Sequence, residues 1–121
     1  MSAEAAMLHA RSYGELTQAV SAGLGPVRAD APGMMKGFAE LGRAAMAEGV
    51  LDKKTKELIA VALSVAARCD PCIGFHVQGL VKLGASRQEL NEVLGVAVYM
   101  GGGPSLMYAA SAVSAFEEFS H

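Results

Sequence analysis

The sequence predicts an all-α fold of about six helices. Apolar residues recur at intervals of three and four, no stretch sustains an alternation of period two, and residues that start and stop helices fall at the ends of the apolar stripes. Helices of ordinary length follow from that punctuation.

Ser12 with Glu15 three residues on reads as a capping box. Leu16, Ala19, Val20 and Gly23 then keep helical spacing, and Gly25-Pro26 predicts a break. A second helix is expected from about Pro32, with Met34, Met35, Phe38, Leu41 and Ala45 on its inner face and Gly49 at its C-terminal cap. Asp52 is the N-cap of a third helix. From Leu58 to Ala67 that helix is apolar almost all round, which predicts burial on every side or a subunit interface. Its four alanines, against two valines and one isoleucine, favour helix over strand. Asp70-Pro71 predicts a fourth helix over Pro71–Leu83, capped by Asp70 and stopped at Gly84. Ser86 and Glu89 form a second capping box for a fifth helix, striped by Leu90, Val93, Leu94, Ala97 and Val98. Gly101–Gly103 ends it, and Pro104 opens the last helix, with Leu106, Ala109, Ala110, Val113 and Phe116 in register.

A chain of 121 residues fits one domain over 1–121, and its apolar half can form a core. Trp is absent and small residues abound, so each side chain buries little area. An oligomer is therefore expected, with the core finished against another subunit. The net charge of −2 is spread along the chain. No clustered Lys and Arg mark a nucleic-acid surface. The N-terminal segment lacks a basic start followed by an apolar run, and the longest apolar stretch falls well short of the roughly 20 residues of a membrane span. A soluble, cytoplasmic protein with no nucleic-acid or membrane partner is expected. Two cysteines in a reducing compartment are more often redox-active or metal-binding than structural.

The segment Arg68–His76 (RCDPCIGFH) concentrates the chemistry. If Asp70 caps the helix, Cys72 lies in its first turn, where outward N–H groups and the positive end of the dipole favour a thiolate. Cys72 is then expected to alkylate before Cys69. Cys69 precedes it at disulfide-forming spacing, and Arg68 adds a cation. His76 follows Cys72 by one turn on the same face and can exchange protons near neutrality. Glu57 would be about 18 Å from Cys69 on one unbroken helix. A fold-back at Cys69–Pro71 brings it instead toward His76 or a shared water.

Glu57, eleven intervening residues, then Cys69-x-x-Cys72-x-x-x-His76 resembles the signature of the carboxymuconolactone decarboxylase and alkylhydroperoxidase D superfamily. The likeness runs from roughly Leu51 to Tyr108 and includes the apolar helix, the Gly84–Glu89 capping segment and the Gly101–Tyr108 stretch. It is closest to the alkylhydroperoxidase-like branch that keeps both cysteines. The resemblance implies an alkylhydroperoxidase D-like helical fold in a homotrimer or hexamer, and thiol-dependent reduction of small hydroperoxides without a cofactor. Cys72 would be oxidised by peroxide and Cys69 would resolve it. Glu57 and His76 would relay protons, and an external lipoyl-type or thioredoxin-type dithiol would restore the thiols. In alkylhydroperoxidase D a His stands just before the second cysteine, where this chain has Pro71.

Other readings of the same residues are a lactone decarboxylase, whose branch typically lacks the cysteine pair, and a zinc-binding or scaffold oligomer. Cys69, Cys72, His76 and Glu57 could supply four zinc ligands, but they crowd one turn and no second Cys/His pair exists. Two cysteines can also be inert core fillers. His9 and His121 lie near the termini and read as incidental. Tyr99 and Tyr108 fit ordinary packing as well as a substrate pocket.

Overall fold

Besides the short helix that opens the chain, four helices in this protein begin on a side chain that accepts a hydrogen bond from the third residue beyond it. Ser12 accepts from Glu15 N, Asp52 from Thr55 N at 2.7 Å, Cys69 from Cys72 N, and Ser86 from Glu89 N. The computed structural model of the chain describes residues 2–8 and 12–121. Among the described residues there are seven helices and no strand: α1 Ala3–Leu8, α2 Tyr13–Asp30, α3 Pro32–Met46, α4 Lys53–Ala66, α5 Asp70–Lys82, α6 Arg87–Gly101 and α7 Gly103–Phe119. The fold is all-α as expected. The seventh helix is the short α1, begun by Ser2, whose Oγ accepts from Ala5 N.

The core lies among α4, α5, α6 and α7. Val61, Val65, Ile73, Val77, Leu80 and Leu90 are fully buried there, and Ala109, Ala112 and Ala115 of α7 pack between them. Burying each of the larger side chains stabilises the fold by about 1.5–3 kcal/mol. Ser86 and Glu89 complete the reciprocal capping box read from the sequence. The α6–α7 junction turns on Gly102 at φ 74.

Three expectations are corrected. The helix does not break at Gly25-Pro26; α2 runs through to Asp30, and the break comes at Ala31, which closes α2 and opens α3 ahead of Pro32. Pro26 removes one helical N–H, but Ala22, whose carbonyl loses its partner, is exposed and reaches water. The end of α3 is not set by Gly49: Ala47 caps it, and Lys56 Nζ donates to the carbonyls of Ala45 at 3.0 Å and Ala47 at 2.6 Å. The presumed inner face of α3 has no inside within this subunit. No residue of α3 is buried, and Phe38 is 70% exposed.

The apolar helix is likewise covered on one side only. Val61, Ser64 and Val65 of α4 face the core, while Ile59 and Leu63 are exposed. Burial on every side is thus ruled out within the subunit. No helix among the described residues is long and apolar enough to cross a membrane.

Candidate functional site: a cysteine pair at a helix start

The turn that makes the site begins where α4 ends. Ala67 caps α4, and Arg68 adopts a left-handed backbone at φ 57. Arg68 N donates to Val65 O and Cys69 N to Ser64 O, both at 3.1 Å. This is a Schellman turn, whose left-handed position usually takes glycine. Gly84 fills that position at the end of α5, at φ 78. Arg68 carries a Cβ there, at a cost of roughly 1–2 kcal/mol. The chain thereby reverses within a few residues and delivers Cys69 straight to the start of α5.

Cys69, and not Asp70, is the N-cap of α5. Its Sγ accepts from Cys72 N at 3.2 Å, and its carbonyl accepts from Ile73 N at 2.9 Å. Asp70, Pro71 and Cys72 are the first three helical residues. Proline is tolerated there because an early helical N–H has no intrahelical partner. The Asp70 carboxylate is engaged elsewhere, accepting from the Tyr13 hydroxyl at 3.0 Å. The electrostatics of the pair change accordingly. The first-turn N–H of Cys72, expected to favour a thiolate at Cys72, points at the sulfur of Cys69.

Cys69 and Cys72 are joined by a disulfide, with their Cα atoms 5.2 Å apart. Both residues are half-buried, neither sealed in the core nor fully open. One turn further on, His76 Nδ1 lies 2.9 Å from Glu57 Oε2. The histidine side chain is 37% exposed and the carboxylate 18%. Glu57 reaches it because α5 folds back against α4, and its carboxylate then faces Gly79. A Cβ on Gly79 would lie 3.4 Å from the Glu57 carboxyl carbon. Glu57 also lines a cleft of about 590 Å³ with Arg43, Met46, Lys53 and Leu83. Among the described residues no three His, Cys, Asp or Glu side chains converge so as to hold a metal ion.

One contributor was not legible from the sequence. Tyr13 opens α2, far from the motif, yet its hydroxyl binds Asp70 and its ring packs beside Gly74. Burial raises the pKa of that hydroxyl above its ordinary value; Ser111 opposes the shift and Asp70 adds to it. The start of α2 is itself held by Glu118 of α7, whose carboxylate accepts from Tyr13 N at 2.9 Å and Gly14 N at 2.8 Å. Tyr108 is half-buried against the core and Tyr99 is exposed. His121 is exposed at the C-terminus, and His9 lies outside the described residues.

Fold and site together define a small all-helical protein built round a Cys-x-x-Cys disulfide with a carboxylate–imidazole pair beside it. The chain belongs to the carboxymuconolactone decarboxylase family, whose sequence profile matches residues 32–115. A family protein from Legionella pneumophila, solved in its apo form, is 59% identical. The two superpose with a TM-score of 0.88 over 90% of this chain and 97% of that one. A family protein from Thermotoga maritima, for which a part in the antioxidative response has been suggested, is 40% identical. Its TM-score is 0.65 over 69% of this chain and 71% of its own. Protein 4 of the cox locus of Paracoccus denitrificans is 35% identical over 98 residues, 81% of this chain and 88% of that protein. A protein of Cupriavidus necator is 43% identical over 86 residues, 71% of this chain and 76% of its own length.

Proposed function

We propose that the protein is a thiol-dependent peroxidase and disulfide oxidoreductase that reduces small hydroperoxides through Cys69 and Cys72, with His76 and Glu57 relaying protons. The observation that carries this reading is the Cys69–Cys72 disulfide one turn from a histidine that a carboxylate holds at 2.9 Å. Membership of the family supports it, as does the antioxidative role suggested for the Thermotoga maritima relative.

With Nδ1 donating to Glu57, the other ring nitrogen of His76 is the one free to accept a proton. His76 takes the Cys72 proton as the hydroperoxide arrives. The Cys72 thiolate attacks the outer peroxide oxygen, the O–O bond breaks, and Cys72 becomes a sulfenic acid. The departing alkoxide takes the proton from His76 and leaves as the alcohol. Cys69, whose sulfur receives the Cys72 N–H, attacks the sulfenic sulfur as a thiolate; the disulfide forms and hydroxide leaves, protonated to water. An external dithiol, of the lipoyl or thioredoxin type, then reduces the disulfide by exchange and is itself oxidised. Pro71 supplies no proton at the place where alkylhydroperoxidase D has a histidine.

The test is peroxide-dependent loss of both thiols in the reduced protein, with one peroxide consumed per disulfide formed. Cys72→Ser is expected to abolish consumption, and Cys69→Ser to leave a sulfenic acid that dimedone traps. Undiminished peroxide consumption by Cys72→Ser overturns the reading. Cysteine-independent release of carbon dioxide from a carboxylated lactone would establish the decarboxylase reading instead.

We propose as well that the protein acts as a homo-oligomer, a trimer or hexamer. The uncovered apolar faces of α3 and α4 support self-association, because one subunit leaves them in water.

A further inference from the structure

We propose that Tyr13 is a positioning residue for the cysteine pair: its hydroxyl holds the Asp70 carboxylate, and so reserves the first-turn amide of α5 for the sulfur of Cys69. The inference rests on the dithiol reading of the site and adds to it a residue from outside the motif.

Asp70 stands between the two cysteines and is the first residue of α5. A carboxylate there is an anion beside any thiolate the pair forms, and like charges disfavour each other. It is also a better acceptor than sulfur, and helix starts attract carboxylates. Left free, Asp70 competes with Cys69 for the Cys72 N–H. The Tyr13 hydroxyl, 3.0 Å from Asp70 Oδ1, gives that carboxylate a different partner.

The donor is built to stay in place. Its backbone N–H is bound by Glu118 of α7, and its ring packs beside Gly74 of α5, where a Cβ would come within 3.2 Å of Cδ1. Burial keeps the hydroxyl protonated through the range in which thiols titrate. The charged and titratable groups on the elements that carry or pack against the pair and Tyr13 include Asp70 and His76 on α5, Glu57 on α4, Tyr108 and Glu118 on α7, and Arg68 in the turn. Of these, Asp70 alone lies between the cysteines in the chain.

The test is the pH dependence of iodoacetamide alkylation of the fully reduced protein, mapped to each cysteine by mass spectrometry. Tyr13→Phe keeps the ring and removes the hydroxyl, and is expected to move the Cys69 midpoint upward by roughly 0.5–1 pH unit. Asp70→Asn is expected to move it downward. In the Asp70→Asn background, Tyr13→Phe should move it no further, a non-additivity that a purely structural role for the ring would not produce. An unchanged midpoint in Tyr13→Phe, or equal shifts with and without Asp70, overturns the proposal. If Tyr13→Phe does not fold, an unchanged midpoint in Asp70→Asn does so alone. The measurement uses neither peroxide nor reductant, so its failure is distinct from failure of the peroxidase reading.

Discussion

Glu57 Oε2 and His76 Nδ1 lie 2.9 Å apart across the α4–α5 hairpin, although 19 positions separate them in the chain. A carboxylate at Nδ1 favours the tautomer with the proton there, which leaves Nε2 as the nitrogen that accepts one. Glu57→Gln keeps an acceptor but loses the charge that steadies the protonated ring. His76→Ala is expected to slow peroxide-driven disulfide formation about a hundredfold or more. Glu57→Gln should fall between that variant and the native protein. Stopped-flow loss of thiols measures both. Equal rates for native protein and His76→Ala would remove the histidine from the reaction.

The members of this site were legible in the sequence because spacing constrains a hairpin. Glu57 cannot cooperate with Cys69 along one helix, so only a fold-back makes sense of the signature. The direction of the first-turn amide was not legible. Asp-Pro is a common helix start, and an aspartate ordinarily outcompetes a cysteine for the cap. The competition was decided by Tyr13, a residue distant in sequence whose hydroxyl takes the aspartate.

Gly74 lets α2 close on the motif helix. A Cβ at that position would lie 2.7 Å from the Thr17 methyl, and Thr17 is itself buried. Gly74→Ala is therefore expected to destabilise the protein by about 1–3 kcal/mol through overpacking. Thr17→Ser removes the colliding methyl, so Gly74→Ala should cost less in that background. Urea unfolding of the four proteins of the cycle reads the coupling. Additive losses would show that the contact is not where the strain lies.

Arg68 is the one described non-glycine residue at positive φ, and it sits immediately before the cysteine pair. Arg68→Gly should relieve the left-handed strain, whereas Arg68→Ala should keep it. The glycine variant is expected to be more stable than the alanine variant by about 1 kcal/mol. Equal thermal midpoints would mean that the Schellman turn accepts a side chain at no cost.

Punctuation of the other helices predicts their ends unevenly, for reasons that lie in solvent exposure. Ser86-x-x-Glu89 is a closed local motif, and it forms as written. Gly25-Pro26 fails as a stop because the segment round it is exposed, and water satisfies what proline leaves unpaired. The Met34–Ala45 stripe predicts the helix but forms no core face within the subunit, since periodicity reports an apolar face without saying which surface covers it.

Two capping carboxyls are expected to contribute to the acid response. The Thr55 N–H holds the Asp52 carboxyl below its ordinary value, and the Ser86 N–H, with Lys54, does the same for Glu89. A carboxyl depressed in the folded state stabilises above its unfolded value and ceases to as pH falls through the folded one. Lys54 is raised by Glu89 and has the opposite sign, so its contribution is lost only on the alkaline side of the ordinary lysine range. The urea midpoint is expected to fall between about pH 5 and pH 2. Asp52→Asn combined with Glu89→Gln should flatten that descent, and an unchanged slope in the double variant would place acid sensitivity elsewhere.

Phe38 is 70% exposed on a helix with no buried residue, and Leu63 is 64% exposed beside the core face of α4. Covering a Phe or Leu side chain stabilises by about 1.5–3 kcal/mol, so leaving both in water is unfavourable unless another subunit meets them. The native protein is expected to sediment as a multiple of the subunit mass. Phe38→Asp and Leu63→Asp should shift it toward monomer with helical content unchanged, because neither side chain belongs to the subunit core. A native protein that sediments as a monomer at every concentration would leave these faces without a partner of its own kind. A charged variant that unfolds instead of dissociating would show that the face belongs to the subunit's own packing.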